Sequence, residues 1–192
     1  MFYFSKKQQI LGLIILIVII VCTISKNVYA KANNIIINDL AVEVIEQEVN
    51  VKCDVQYGVH EDVEVALLNG IEMIFKLNVE VRQQKAYWPD PLVTSVSKSF
   101  KIKYHALSEQ FVVSEIDEQT ERSFPDLYSA FYNREHIDEI DLVSLSRLDI
   151  DKTYYLRAKA HLVTEVLPLP LRVKSYFSKN WRPSSGWSQW PI

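Results

Sequence analysis

Four histidines, a few acid clusters and a tryptophan-rich tail are the parts of this 192-residue sequence that could do chemistry. His60, His105, His136 and His161 have no second histidine or cysteine at the two-to-four-residue spacing that zinc sites use, so they predict no metal centre. His105 follows Tyr104 at a strand end and reads as structural. No serine stands in the G-x-S-x-G elbow that strains a nucleophile into reach. Glycines occur only at positions 12, 58, 70 and 186, which leaves no loop able to cradle a phosphate. Asp117-Glu118, Asp138-Glu139-Asp141 and Asp149-Asp151 lack the alternating grammar of a calcium loop and read as solvated turns. A pair of glycosidase carboxylates is defined by separation in space, which sequence does not carry. These observations point away from an enzyme, a metal and a cofactor.

The tail offers more. Trp181, Trp187 and Trp190 follow closely on Tyr176 and Phe177. Indoles bury a large area, so they suit a role in pinning the tail over a sheet face. The same residues, with Arg172, Lys174 and Arg182 beside them, also suit a partner or ligand surface, because Trp, Tyr and Arg dominate interface hot spots. Sugar stacking is a subset of that second reading. The candidate contact surface is therefore Trp181, Arg182, Trp187, Trp190, Tyr176 and Arg172.

Strands are expected to position these groups. Ile35–Val44 reads as a first strand. Val49, Val51, Cys53, Val55 and Tyr57 alternate with polar residues, the period-2 signature of a half-buried strand, and place Cys53 on the apolar face. Val63, Ala66 and Leu67 change the period to that of a short helix, stopped by Gly70. Alternation resumes through Met73, Phe75, Leu77, Val79 and Val81. Trp88-Pro89-Asp90-Pro91 interrupts it, because proline donates no ladder hydrogen bond. Val93–His105 and Phe111–Val113 read as a hairpin. Ser123-Phe124-Pro125-Asp126 resembles a helix entrance capped by Ser123, with Phe124, Leu127, Tyr128 and Phe131 as its apolar stripe. Residues 135–146 mix acids and aliphatics without a clean period. Tyr154–Val166 reads as the last long strand. The alternate prolines of Leu167–Leu171 fit either an extended segment or a turn into a helix ending near Phe177. The pattern predicts a mainly β domain: an antiparallel β-sandwich, immunoglobulin-like, with two or three short helices.

The first thirty residues differ. Lys6 and Lys7 precede an uninterrupted apolar run from Ile10 to Cys22, and Val28-Tyr29-Ala30 fits a signal-peptidase site. The run is 13 residues long, whereas a bilayer-spanning helix needs about 20. Residues 1–30 therefore read as a signal peptide cleaved after Ala30, with an uncleaved membrane anchor as the alternative. Both place residues 31–192 in the periplasm, free or held to the inner membrane, since Lys6 and Lys7 stay cytoplasmic. Cys22 lacks the small residue that precedes a lipidated cysteine. Residues 31–192 form one domain with 18 basic and 24 acidic side chains. That balance excludes nucleic acid, which needs a basic face, and offers no overall pull towards anionic lipid. Cys53 has no partner there, so a disulfide is excluded and a buried hydrophobe expected.

Ala66–Val81, Trp88, Lys101–Val113, Ser123–Phe131 and, most specifically, Leu167–Ile192 (LPLPLRVKSYFSKNWRPSSGWSQWPI) resemble domain of unknown function family 4390, a family of exported proteobacterial proteins. The resemblance covers nearly all of residues 31–192. It departs at Arg182-Pro183, where the family pattern has an aliphatic residue rather than proline, which affects local tail geometry. The resemblance implies no activity, cofactor or catalytic residue. Its gene neighbourhood implies a signalling partner, a membrane sensor kinase of the nitrogen-regulation type. The expected function is a non-catalytic binding or protein-interaction module at the cell envelope, with ligand and partner open. One alternative is a structural envelope-assembly factor anchored in the inner membrane. Another is a hydrolase with a dispersed site, which requires two or three of the His105, His161, serine and aspartate side chains to converge in a deep pocket.

Overall fold

Alternation along Met73–Gln83 decides the architecture, because it produces a strand with one fully buried face. The computed structural model describes residues 34–45, 48–133, 136–144, 148–149 and 151–192. The leader expected over residues 1–30, with its cleavage site at Ala30, lies outside the described residues.

Nine strands are described: β1 (Ile36–Ile45), β2 (Glu48–Gln56), β3 (Met73–Gln83), β4 (Leu92–His105), β5 (Gln110–Glu115), β6 (Thr120–Phe124), β7 (His136–Ser144), β8 (Tyr154–Leu162) and β9 (Ser188–Pro191). The fold is mainly β and every pairing is antiparallel. One sheet has the order β1-β2-β7 and the other β6-β5-β4-β3-β8-β9. Three helices accompany them: α1 (Glu61–Leu68), α2 (Leu127–Tyr132) and α3 (Leu169–Phe177). A 3₁₀ turn, Lys179–Trp181, follows α3.

One buried cluster draws on both sheets: Val49, Val51, Cys53 and Val55 from β2, Ile140 and Leu142 from β7, and Phe75, Leu77 and Val79 from β3. Four rings knit it together. Phe75 stacks on Phe100 at 5.4 Å and meets Tyr57 at 5.9 Å and Phe131 at 5.3 Å edge-on. Those contacts join the residue that follows β2, the start of β3, the middle of β4, and α2. Cys53 lies in this core as expected. Burial first, then the negative charges of Asp54 and Asp39, push its thiol up to about 12, so it stays protonated and inert.

Several boundaries differ from the sequence expectation. Ser123 and Phe124 close β6 rather than opening a helix. Asp126 caps α2, its carboxylate accepting from the Ser129 amide at 2.7 Å and the Ser129 hydroxyl at 2.9 Å. A carboxylate one residue past the proline outcompetes the earlier hydroxyl. The strand expected to run to Val166 ends at Leu162, and a 3₁₀ turn, Thr164–Val166, leads into α3. Pro168 and Pro170 enter that helix at its start, where a missing N–H is harmless, so the turn-into-helix reading holds. After α1, Gly70 takes φ +82°, which lets its amide reach Leu67 O (2.8 Å) and the Ile71 amide reach Ala66 O (3.0 Å).

Tyr154, the first residue of β8, reaches back to the preceding loop: the Asp149 amide donates to its hydroxyl at 3.0 Å. Tyr154→Phe is expected to lower stability by about 1 kcal/mol through loss of this bond. A urea midpoint equal to that of the parent protein would show that water replaces the hydroxyl without loss.

Candidate functional site

The tryptophan tail divides between core and surface. Trp181 is 2% exposed and belongs to the core. Its indole N–H has no hydrogen-bond partner, and Lys174 Nζ lies 5.0 Å from its ring centre. Beyond it the tail runs antiparallel along β8. The Leu162 amide donates to Pro183 O (3.1 Å), Ser184 bridges His161, and the Ser185 amide donates to Ala160 O (2.9 Å). Ser188–Pro191 then continues as β9. Trp190 packs partly buried against the core. Trp187 remains 40% exposed, with the Arg157 guanidinium 4.1 Å from its ring centre. The tail is thus largely a strand and its anchor. Arg182 is exposed, and Arg172 is half-buried, donating to Leu167 O at 3.1 Å. Tyr176 is exposed on α3.

Arg157 also holds the outer face of the six-stranded sheet together. Its Nε and Nη2 both lie 2.7 Å from Glu80 Oε2, and Arg82 Nε lies 2.9 Å from the same oxygen. Burial pushes the Glu80 carboxyl up, yet the hydrogen bonds from Arg82 and Arg157 outweigh it and hold it below its ordinary range. Asp90 accepts from the Lys85 amide and the Tyr155 hydroxyl, both at 2.8 Å, and these bonds lower it too. Both carboxylates are therefore ionised at neutral pH, and neither is poised as a proton donor.

His105 and His161 do not converge. His161 on β8 faces Lys76 on β3, and Lys76 faces Ser99 on β4, six residues from His105 at the exposed end of that strand. Six residues of strand span about 20 Å. His161 instead borders a hollow of about 430 Å³ with Lys159, Lys179, Arg182, Glu165 and Ser184. Burial and then the Lys159 charge lower its pKa, and its Nδ1 has no hydrogen-bond partner. His60 caps α1 by accepting from the Asp62 amide at 3.2 Å, and His136 begins β7.

A groove of about 680 Å³ lies between α1 and α3. Its apolar lining comprises Val65, Ala66, Ile71, Pro170 and Leu171, with the Trp181 ring buried among them; Glu61 and Asp62 stand at one side and Lys174 at another. His60 ties the two walls together, its Nε2 lying 3.2 Å from Asn180 in the turn after α3. Val65 and Ala66 were not legible as contact residues, since their helix lies about a hundred positions from α3. No spacing rule connects the two.

No curated protein and no solved structure matches this chain. A family model does, across residues 32–191, and it spans both sheets, all three helices and the tail. The chain belongs to the domain of unknown function family DUF4390.

Proposed function

We propose that residues 31–192 are a non-catalytic interaction module of the cell envelope, exported by the leader, that takes an apolar segment of a partner protein into the groove between α1 and α3. The observation that carries this reading is the groove itself: apolar walls from two helices around a buried indole. Such concave apolar sites with a few polar groups at the edge are the usual form of a binding site. Glu61 and Asp62 favour a partner segment whose apolar anchors are flanked by a basic residue. The ionised, hydrogen-bonded states of Glu80 and Asp90 weigh against these two as the acid of a hydrolase. A membrane sensor kinase is the partner class that the family resemblance suggests.

An immunoglobulin-like sandwich is the scaffold we propose for it. The order β1-β2-β7 matches the A-B-E side of that fold, and β5-β4-β3-β8-β9 matches the C″-C′-C-F-G side. The Tyr154 hydroxyl bonded to the Asp149 backbone sits where that fold places its tyrosine corner.

Recovery of a partner from detergent-extracted envelopes tests the groove. The parent protein is expected to retain one membrane protein, and Val65→Arg to reduce that recovery at least about tenfold, as burial of an unpaired charge requires. Trp187→Ala, away from the groove, is expected to leave it unchanged. Equal recovery by Val65→Arg, or none by the parent, contradicts the proposal.

A further inference from the structure

We propose that α3 is a membrane-surface helix, laying its outer face on a bilayer that carries anionic lipid. Leu169, Val173, Tyr176 and Phe177 are 70%, 53%, 65% and 88% exposed. They stand at i, i+4, i+7 and i+8, which at 3.6 residues per turn is one stripe about 100° wide. The buried Ser175 marks the opposite side of the helix, and Leu171 and Lys174 face the groove. A short helix with one stripe against its own domain and a second stripe of aliphatic and aromatic residues in water has the form of an interfacial helix.

Charge identifies the lipid. Residues 31–165 hold all 24 acidic side chains against 14 basic ones, whereas residues 166–192 hold four basic side chains and no acid. The overall acid excess of the domain therefore conceals a cationic segment, Arg172, Lys174, Lys179 and Arg182, that runs through α3 and the turn after it. Seven cations elsewhere are paired, among them Lys52 with Glu43, Arg82 and Arg157 with Glu80, and Lys101 and Lys103 with Glu72, while Lys76, Lys85, Arg122 and Lys159 stand scattered over the domain without an ion pair among the described residues. Among the described residues none of the four around α3 meets a carboxylate. Of the nearby carboxylates, Glu61 and Asp62 stand across the groove, and Glu165 shares a hollow with Lys179 and Arg182 without an ion pair to either. Basic residues beside an apolar helical face draw it to an anionic leaflet, each contributing a several-fold gain in binding. From α3 the groove takes Pro170, Leu171 and Lys174 and the stripe takes Leu169, Val173, Tyr176 and Phe177, so the two adjoining surfaces share no residue.

The test uses the full chain with Cys22→Ser and a single environment-sensitive fluorophore attached through Val173→Cys, the buried Cys53 being left in place. A second labelled protein carries the fluorophore through Leu107→Cys, in the exposed β4–β5 turn. Each is reconstituted with vesicles of phosphatidylethanolamine and phosphatidylglycerol, or of phosphatidylcholine alone, containing nitroxide-labelled lipid. Strong quenching at position 173 but not 107, confined to the phosphatidylglycerol vesicles, is the expected result. Lys179→Gln with Arg182→Gln, both exposed and outside the groove, is expected to weaken that docking about thirty-fold. Equal quenching at the two positions, or quenching at 173 that is the same in phosphatidylcholine, overturns the proposal. So does a fluorophore at 173 that leaves water only when a partner protein is added. Val65→Arg leaves the expected quenching intact, which separates failure here from failure of the groove.

Discussion

Phe75→Ala is expected to destabilise the domain by about 3–5 kcal/mol, the range for deleting a fully buried aromatic side chain. Phe75 is 0% exposed and sits where three other rings meet it. Two of those rings, Tyr57 and Phe131, come from outside its own sheet, so the cavity opens at the junction of β2, β3 and α2. Neighbours held by separate backbone elements relax poorly into such a void. Total stability of a domain this size is about 5–15 kcal/mol, so the substitution removes a large fraction of it. Phe75→Leu, which keeps most of the volume, is expected to lose clearly less. A urea midpoint for Phe75→Ala within error of the parent would mean that the four rings do not form the centre of the core.

Trp181→Ala carries the second large effect, again about 3–5 kcal/mol. It also distinguishes the two roles that the tail sequence allowed. A tryptophan that only touches a partner can be truncated with little change in stability, because surface substitutions stay within about 0.5 kcal/mol. A tryptophan 2% exposed cannot. Its loss is expected to free the tail from β8 as well as to open a cavity. The Leu162 amide, which donates to Pro183, and the Ala160 amide, which donates to the Ser185 hydroxyl at 3.0 Å, should then exchange faster with solvent. Unchanged exchange at Leu162 and Ala160 would show that the tail is held by β9 alone.

Much of the sheet was legible because one face of each central strand is buried. Met73, Phe75, Leu77, Val79 and Val81 read as a strand and form one, and β2, β4 and β8 follow the same rule. The strands that escaped lie where that contrast is absent. Four of the five residues of β6 are exposed, so Thr120–Phe124 carries no alternation to detect. β9 has only four residues and includes a proline, tolerable at the sheet edge where it pairs with β8 alone. The cap of α2 moved from Ser123 to Asp126 because composition offered two capping side chains and only backbone geometry chose between them.

The placement of the tail was legible in part. The aromatic cluster near the end drew attention to it, but indole count did not separate Trp181, which is core, from Trp187, which is half outside it. The stripe Leu169-Val173-Tyr176-Phe177 has helical spacing in the sequence, and such a stripe ordinarily faces inward. Only the packing of Leu171 and Ser175 reveals that α3 turns it outward. The groove needed the fold entirely, since α1 and α3 come together through tertiary packing.

The central claim is that the α1–α3 groove is where this domain meets its partner. Photo-cross-linking in living cells measures that contact directly, with a photoreactive amino acid at Val65 in the groove wall and, separately, at Leu107, which is fully exposed in the β4–β5 turn. A single discrete adduct from position 65, absent from position 107 and abolished by Leu171→Asp on the opposite wall, is the expected result. No adduct at position 65, or the same adducts from both positions, would contradict it.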